Sequence, residues 1–439
     1  MLDTNLELIE ELKQFCSIIT SDNDIFNHFR SSDKDFTRNR KLPLEKLAFL
    51  IARLCKKTLS REIESYFKDI GIEEECSVSA FIQQRKKLAP AFFNVWNQYL
   101  CRTWYELNAD RIKRFGKYRV VAVDGSNVTL INKEQLTAHF SGQGNGVSTY
   151  TIGKTFYYYD VLNELVLFSK IGSYRTGELT MAYSMTDRIG EDMLTIYDRN
   201  FFNYRMMALH MLQEVERKFV IRANETTRIV KAFIASGKTS SMVQMKPSKK
   251  MMEGMYQSGY KITERDVLNV RFVRVELKNS IEVIATNLWE EEYETSIFKD
   301  LYFMRWGVET NISSQKNIMQ LESFSGLNVR AIEQDFYATI FMTNLQSVLL
   351  KPAQEQVDKE PKRRKYPMKI NRNKSFAELK MKFIQLFFVD NPLQILEKLY
   401  KYFRKELLPI RKGRTYKREI KNNQTKSKFK TFSNFKPAY

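Results

Sequence analysis

Histidine is almost missing from this chain: His28, His139 and His210 are the whole supply in 439 residues. That scarcity excludes a His-dependent nucleophile relay and a His-rich metal cage. Cysteine is nearly as rare. Cys16, Cys55, Cys76 and Cys101 all fall in the first quarter, far apart, with no CxxC pair and no His at ligand spacing. A zinc site is thereby excluded, and free thiols in a reducing cytoplasm are the reading that remains. Glycine and proline number only 16 and 9, too few for a collagen-like or low-complexity chain. No apolar run approaches the roughly 18 residues of a membrane span, so no membrane partner is expected. The start, "MLDTNLELIEELK", is acidic and amphipathic, which is wrong for a secretory leader.

What is present describes a folded chain, 43% hydrophobic and 28% charged, long enough for roughly three domains. Its formal charge of +20 is unevenly spread. From Lys351 onward there are 25 Lys and Arg against 8 Asp and Glu, so the first 350 residues are nearly neutral. A basic end on a near-neutral body points to a polyanion, most often nucleic acid. A merely solubilising tail is the plainer alternative. An acidic membrane surface fits less well, because the basic stretches lack a regular apolar face.

Residues 1–113 read as helices. In "LPLEKLAFLIARLCKK" apolar residues recur at helical spacing behind Pro43, which suits a first helical turn. "TLSREIESYFKDIG" and "CSVSAFIQQRKKLAPAFFNVWNQYL" follow. Thr58 or Ser60 caps the first, Gly71 stops it, and Ser77 or Ser79 caps the next. Two short helices about a turn, the second carrying Gln83, Gln84, Arg85, Lys86 and Lys87, fit a helix-turn-helix reader with Gln84, Arg85 and Lys86 on DNA. They fit a plain helical bundle equally well.

At "KYRVVAVDGSNVTL" the pattern changes to a β-branched run, Val120 to Val123, typical of a buried strand. "STYTIGKTFYYYDVLNELVLFSKIGSYR" suggests a meander of two strands turning at Leu162–Glu164. A helix capped by Thr176, the strand "MLTIYDRN", the helix "FFNYRMMALHMLQEV" and the strand "KFVIRAN" complete a mixed α/β layer. Over 225–290 the helical period fades, and "SSMVQMKPS", "YKITERDV", "LNVRFVRVEL" and "SIEVIATNL" alternate like strands. A helix over 294–320 comes next, then helices to residue 350 and a hinge-like "PAQEQVDKEPKRRKYP". Two more helical segments precede a basic tail from Arg411.

Two aspartates share one context: Asp124 ends "RVVAVD" and Asp198 ends "MLTIYD". A carboxylate at the end of a buried strand is costly unless it caps the next turn, is paired, or holds a cation. On the later helix, Tyr302, Arg305, Glu309 and Lys316 fall within roughly 60° of one another at about 100° per residue. Beside them runs an apolar stripe of Leu301, Met304, Val308, Ile312 and Met319. The polar row reads plainly as solvated i,i+4 pairs such as Arg305–Glu309. Joined to Asp124 and Asp198, it reads as part of a three-carboxylate site. Carboxylates without His are hard oxygen donors suited to Mg2+ or Mn2+. A pair of such ions can activate a water or a 3′-hydroxyl on a phosphodiester with no covalent protein nucleophile.

Tyr302, Arg305, Glu309 and Lys316 spell Y-x2-R-x3-E-x6-K, which resembles the signature of the insertion-sequence-4 family of DDE transposases. "AVDGSNV" around Asp124 and "YDRNF" around Asp198 look like that family's first and second catalytic blocks. "GSYRTGELTMA" and "SVSAFIQQRKKL" look like further recurring pieces, and the resemblance covers residues 35–345. It implies an α/β, ribonuclease-H-like mixed sheet with helices over 114–224 and 291–350, interrupted by a β-rich insertion at 225–290. A helical DNA-binding domain at 1–113 would precede it and a basic helical region at 351–439 would follow. The implied activity is cut-and-paste transposition: hydrolysis at the inverted-repeat ends of a DNA element, then attack of the freed 3′-hydroxyl on target DNA.

Residue by residue, the resemblance makes Asp124, Asp198 and Glu309 the catalytic, metal-binding triad for two Mg2+ or Mn2+ ions. Tyr302, Arg305 and Lys316 become phosphate contacts, and Arg199, next to the second block, a further DNA contact. It implies a homodimer on double-stranded DNA, in the cytoplasm of a prokaryote and on its nucleoid when bound. Some relatives hold a flipped base on an aromatic of the insertion. "SIEVIATNL" has none, and Trp289, Tyr256 and Tyr260 are the candidate rings. Two other readings stay open: a DNA-binding descendant that no longer cuts, and a related metal-dependent nuclease that stops after hydrolysis.

Residues 411–439 carry ten Lys and Arg against a single acid. Deleting them is expected to weaken binding to end DNA and flatten its salt dependence, since each neutralised phosphate adds roughly −0.9 to the log–log slope. Fluorescence anisotropy over a salt series measures this; an unchanged slope removes the tail from the DNA contact.

Overall fold

Strand-forming sequence begins abruptly after a wholly helical start. In the computed structural model the chain opens with α1 (Leu2–Ser21), α2 (Asn23–Asn27), α3 (Leu44–Arg53), α4 (Leu59–Asp69), α5 (Val78–Arg85) and α6 (Ala91–Leu107). It continues with β1 (Arg119–Leu130), α7 (Glu134–Phe140), β2 (Gly142–Gly144), β3 (Thr149–Asp160), β4 (Leu165–Ser173), α8 (Glu178–Tyr183), β5 (Met193–Tyr197), α9 (Tyr204–Met211) and β6 (Lys218–Arg222). Then come α10 (Arg228–Ala235), β7 (Ser240–Met245), α11 (Lys249–Tyr256), β8 (Leu268–Leu277), β9 (Ser280–Thr286), α12 (Phe298–Phe303) and α13 (Trp306–Asn317). The last elements are α14 (Val329–Lys359), β10 (Met368–Ile370), α15 (Arg372–Phe388), α16 (Pro392–Lys405) and β11 (Leu407–Pro409). The structure describes residues 2–38, 40–73, 75–144, 149–278, 280–360, 365–388 and 391–411. The basic tail past Arg411 lies outside them.

One unit comprises the described residues of 111–127 and 154–312. Its sheet runs β4-β3-β1-β5-β6-β9-β8-β7. β3 returns antiparallel along β1, with Val161 N–H donating to Val120 O and Thr155 Oγ1 to Ser126 O, both at 2.9 Å. β5 and β6 lie parallel to β1, in the registers Val120↔Leu194 and Leu194↔Lys218. A three-strand meander with two parallel strands added beyond its first strand is the expected ribonuclease-H-like arrangement. The turn at Leu162–Glu164 is closed by the Asp160 carboxylate, which accepts the N–H groups of Leu162 and Asn163 at 3.1 and 2.9 Å.

The stretch expected as a β-rich insertion continues this same sheet. β9 pairs antiparallel with β6 (Ile221↔Ala285), and β8 and β7 follow it. Two helices, α10 and α11, stand where only strands were expected. Each spans eight residues, and α10 buries only Val230 and Phe233, too few for a helical period to emerge. "YKITERDV" forms a loop and not a strand. Asp266 accepts both the N–H and the hydroxyl of Thr263 at 2.7 and 2.8 Å, a local closure that competes with a sheet ladder.

Alternate residues of the central strands point to one face. There Val120, Leu194, Ile196, Val220, Val273 and Ile284 pack against Leu288, Phe298, Leu301 and Tyr302. Full burial of each such aliphatic contributes about 1.5–3 kcal/mol. The single helix expected over 294–320 is divided into a 3-10 turn at Thr295–Ile297, α12 and α13. At the joint the bonds tighten to the i→i−3 pattern: Arg305 N–H to Tyr302 O, Gly307 N–H to Met304 O and Val308 N–H to Arg305 O. Gly307 has a steric reason to be glycine there. A Cβ on it would stand 3.0 Å from Val161 Cγ1, so the bare backbone lets α13 close on the end of β3. The helix expected behind Thr176 begins behind Gly177, without a side-chain cap, and stops at Tyr183.

The other unit comprises the described residues of 1–110, 128–153 and 313–439. Trp96 of α6 stacks on Phe341 of α14 with ring centroids 3.9 Å apart, and Phe49 of α3 packs on Trp96 and Phe387. β2 pairs with the first residues of β3. Gly71 ends α4 at φ +69°, and Ser77 caps α5 by accepting Ala80 N–H at 3.1 Å. α14 runs on through Lys359 with Pro352 buried inside it, so the hinge expected from Pro352 is helix in its first half.

α5 does not present the row expected to touch DNA. Arg85 is 4% exposed. Its guanidinium donates to Asp335 Oδ1, Gln334 Oε1 and Ser325 Oγ at 2.6 Å, and to Ala331 O at 2.8 Å. Gln84 is also buried and donates to Leu42 O at 2.9 Å. Of the expected contacts Gln84, Arg85 and Lys86, only Lys86 is exposed.

Burial pushes the Asp335 carboxyl up, but Arg85, then Lys56, then Ser325 pull it further down, leaving it below the ordinary carboxylate range. Asp335→Ala strands a buried guanidinium, and a loss of about 3–5 kcal/mol is expected in urea unfolding at neutral pH. A depressed folded pKa stabilises above the unfolded value and loses its effect as pH falls. The gap between wild type and variant should therefore narrow below about pH 4.

Candidate active site

The pairing of β1 with β5 advances one residue at a time from Arg119↔Met193 to Ala122↔Ile196. Two residues further along each strand stand Asp124 and Asp198. Continued two residues past its last pair, the register puts Asp124 of β1 level with Asp198, the first residue after β5. Arg119 pins the first rung, donating to Asp192 through Nε at 2.7 Å and Nη2 at 2.9 Å. Asp198 follows the end of β5, as expected. Asp124 does not end its strand: β1 continues to Leu130, and Asp124 marks where the burial of β1 breaks.

Each carboxylate accepts a backbone N–H. Asp124 Oδ1 takes that of Gly125 at 2.8 Å, and Asp198 Oδ1 takes that of Asn200 at 2.8 Å as cap of the 3-10 turn Arg199–Phe201. The capping role is thus filled at Asp198 and leaves three lone-pair positions on each side chain.

Glu309 comes from the first turn of α13, and its Oε1 lies 2.6 Å from Arg305 Nη2. The polar row expected in solvent is largely inside, with Tyr302 and Arg305 each 8% exposed. Tyr302 packs into the sheet core, and its hydroxyl is pushed up to about 12, chiefly by burial. Burial opposes the Arg305 charge, but Tyr302, Glu309 and Asp124 prevail and hold the guanidinium protonated more firmly than usual. Among the described residues its Nε finds no hydrogen-bond partner, and its Cζ lies 4.9 Å from the centroid of the Trp306 ring. Lys316 stands half-buried in the last turn of α13, and Arg199 is exposed next to Asp198.

Burial pushes Asp124 up to about 6; Glu309 and Asp198 add to the rise, while Gly125 N–H and Arg305 oppose it. The three acids therefore share one electrostatic field. Among the described residues, no three acidic, His or Cys side chains stand close enough to hold an ion as they are. Glu309 is instead paired with Arg305. The donor chemistry nonetheless fits a hard divalent cation: carboxylates with no thiolate or imidazole among them. A half-buried acid raised first by desolvation and then by like charges is the kind of group such a cation relieves.

Two rings and one acid escaped the sequence reading. Phe303 and Trp306, 70% and 43% exposed, flank Arg305; the aromatic–basic run "YFMRW" was their signal. Glu178 accepts from Lys154 Nζ at 3.1 Å and from Asn200 Nδ2 at 3.4 Å. Nothing in its spacing set it apart from any helix-opening acid.

These features define a ribonuclease-H-like protein with a carboxylate site where β1 meets β5. The family described as transposase DDE domain matches residues 115–345, more than half of the sequence, and this chain belongs to that family. Its members use divalent metal ions. No curated protein matches the chain. Among solved structures it is similar to the piggyBac transposase, determined by cryo-EM as a synaptic complex with hairpin DNA. Identity is 10% over 98% of this chain and 88% of that one, with a TM-score of 0.41, a likeness too distant to bear on residues or mechanism. Among the described residues no helix is long and apolar enough to cross a membrane.

A carboxyl whose folded pKa is about 6, against an unfolded value of about 3.9, stabilises the fold below pH 4 and loses that contribution as pH rises through 6. Asp124→Asn, which keeps an acceptor for Gly125 N–H, is therefore expected to stabilise the metal-free chain at pH 7.5 by up to about 2 kcal/mol. The gain should shrink toward pH 4. Thermal melts in chelator at both pH values test this, and an equal gain at both overturns the assignment.

Proposed function

We propose that this chain is a transposase of the insertion-sequence-4 group. It cuts double-stranded DNA at the inverted-repeat ends of an element and joins the freed 3′-hydroxyl to target DNA. One observation carries the reading: the β1–β5 register levels Asp124 with Asp198, and Glu309 acts on the same buried carboxyl from α13, in a chain of the transposase DDE family.

Asp124, Asp198 and Glu309 are the residues that would hold Mg2+ or Mn2+, two ions on the family resemblance. When bound, the metal supplies Lewis-acid stabilisation at a phosphodiester oxygen and a water of lowered pKa. The chain's own part is positional. Arg305 exchanges Glu309 for a phosphate oxygen, its planar fork suited to either partner. Tyr302 keeps its proton at neutral pH and donates it as a hydrogen bond. Lys316 adds a cation further along α13, and Phe303 and Trp306 offer faces on which an unpaired base can stack. Arg199 and Lys86 are the remaining exposed cations of the expected DNA contact. Two ends must meet for transposition, so the working form on DNA is a homodimer.

Asp124→Asn and Glu309→Gln are each expected to slow cleavage of labelled end DNA in Mg2+ by more than about 10³-fold, while binding to the same DNA is largely kept. Undiminished cleavage removes the triad. Binding without any cleavage by the unaltered chain favours the descendant that no longer cuts. Cleavage without joining favours a nuclease that stops at hydrolysis.

A further inference from the structure

Glu178 opens α8, and its side chain reaches both arms of the acid site. One oxygen accepts Lys154 Nζ at 3.1 Å; the other accepts Asn200 Nδ2 at 3.4 Å. Asn200 in turn gives its backbone N–H to Asp198. On its other side Glu178 lies against Gly125, whose N–H goes to Asp124. A Cβ on Gly125 would stand 2.8 Å from Glu178 Cγ and 2.9 Å from Oε1. Gly125 does not adopt the left-handed backbone, so space, and not conformation, is what calls for glycine. A single carboxylate thus touches the residue after Asp124 and the residue whose N–H Asp198 caps.

A third acid beside two others would be costly unless its charge were met. Lys154 of β3 meets it from a largely buried position, with its Nζ also 5.4 Å from the Tyr174 ring. With both oxygens engaged by donors, Glu178 is a brace between the two aspartate-bearing backbones and not a further ligand.

We propose that Glu178 is a positioning residue: held by Lys154, it wedges between Gly125 and Asn200 and fixes the spacing of Asp124 and Asp198 for a divalent ion. This rests on the reading of those acids as metal-holding. Strands that carry like charges at one level gain from such a brace, because repulsion otherwise turns the side chains apart. Partners that orient metal-binding side chains are commonly worth 10- to 100-fold in metal affinity.

The test is Mn2+ binding by the DNA-free full chain, followed by calorimetry with thermal melts alongside. Glu178→Ala is expected to raise the Mn2+ Kd by about 10- to 100-fold. Glu178→Gln keeps the length and a hydrogen-bonding head, although it too leaves Lys154 without a counter-charge, and is expected to lose clearly less affinity than Glu178→Ala. Unchanged affinity in Glu178→Ala overturns the brace. So does a Gln variant as damaged as the Ala variant, which would mean that the charge itself is used. Because Glu178→Ala leaves Lys154 without its counter-charge, a steric cycle supplies a second arm. Gly125→Ala is expected to lower both Tm and Mn2+ affinity with Glu178 present, and to be nearly silent once Glu178 is Ala. Additive effects overturn the contact. A wild-type chain that binds no Mn2+ overturns the metal-holding reading itself, whereas wild-type binding with insensitive variants removes the brace alone.

Discussion

Asp124 and Asp198 stand at matching positions just past the paired part of the ladder between β1 and β5. The ladder is set by packing. Val120, Leu194, Ile196 and Val220 must all face the same core, and a slip of one residue would turn every one of them to the other face. The ion pair of Arg119 with Asp192 locks the opening rung. From that rung the register runs to Ala122↔Ile196, two residues short of Asp124 and Asp198. The apolar half of each strand therefore places the polar residues beyond it. The core and the site are one constraint expressed at two ends of the same strands.

The acids carry an electrostatic cost: burial first, then Glu309 and Asp198, raise the carboxyl of Asp124. The fold offsets it with internal cations rather than with solvent. Arg305 lies against Glu309, and Lys154 lies against Glu178. Each is mostly buried, which makes the pairing strong and its loss expensive. Arg305 differs in one respect: among the described residues its Nε has no hydrogen-bond partner. Asp124 and Asp198 also spend one oxygen each on a backbone N–H, which orients the carboxylates before anything binds.

The readable parts of the sequence were those in which one local rule acts alone. The β-branched run at Val120 had no competing period and became β1. The turn at Leu162–Glu164 was announced by the Asp and Asn that close it, and Ser77 and Gly71 punctuate their helices as their chemistry requires. The unreadable parts were those where a distant partner decides. A row of Gln84, Arg85 and Lys86 looks the same whether it faces DNA or, as for Arg85, finds four acceptors in α14 and the loop before it. The joint between α12 and α13 lies against Val161, nearly 150 residues earlier in the chain. Tyr302 and Arg305 were legible as a pattern but not as buried side chains, since helical spacing gives an angle and not a depth. Glu178 lay inside the family-like stretch "GSYRTGELTMA" but was not singled out, because its meaning lies in touching Gly125 and Asn200, which no spacing rule connects.

On the proposed reading, the pairing of Arg305 with Glu309 makes metal and DNA binding reciprocal. A guanidinium that grips Glu309 competes with any cation for that carboxylate. A phosphate that draws Arg305 away lowers the cost of bringing Glu309 to an ion beside Asp124 and Asp198. By linkage, an ion that takes Glu309 must release Arg305 toward phosphate by the same free energy. The two binding events then favour each other with no large rearrangement, only an exchange of partners by one arginine. The joint at Met304–Arg305 suits that exchange, because its bonds are of the short i→i−3 kind and Phe303 and Trp306 on either side stand in solvent. On that reading Asp124 and Asp198 stay open to an ion in the DNA-free chain, and what phosphate adds is the release of Glu309 from Arg305.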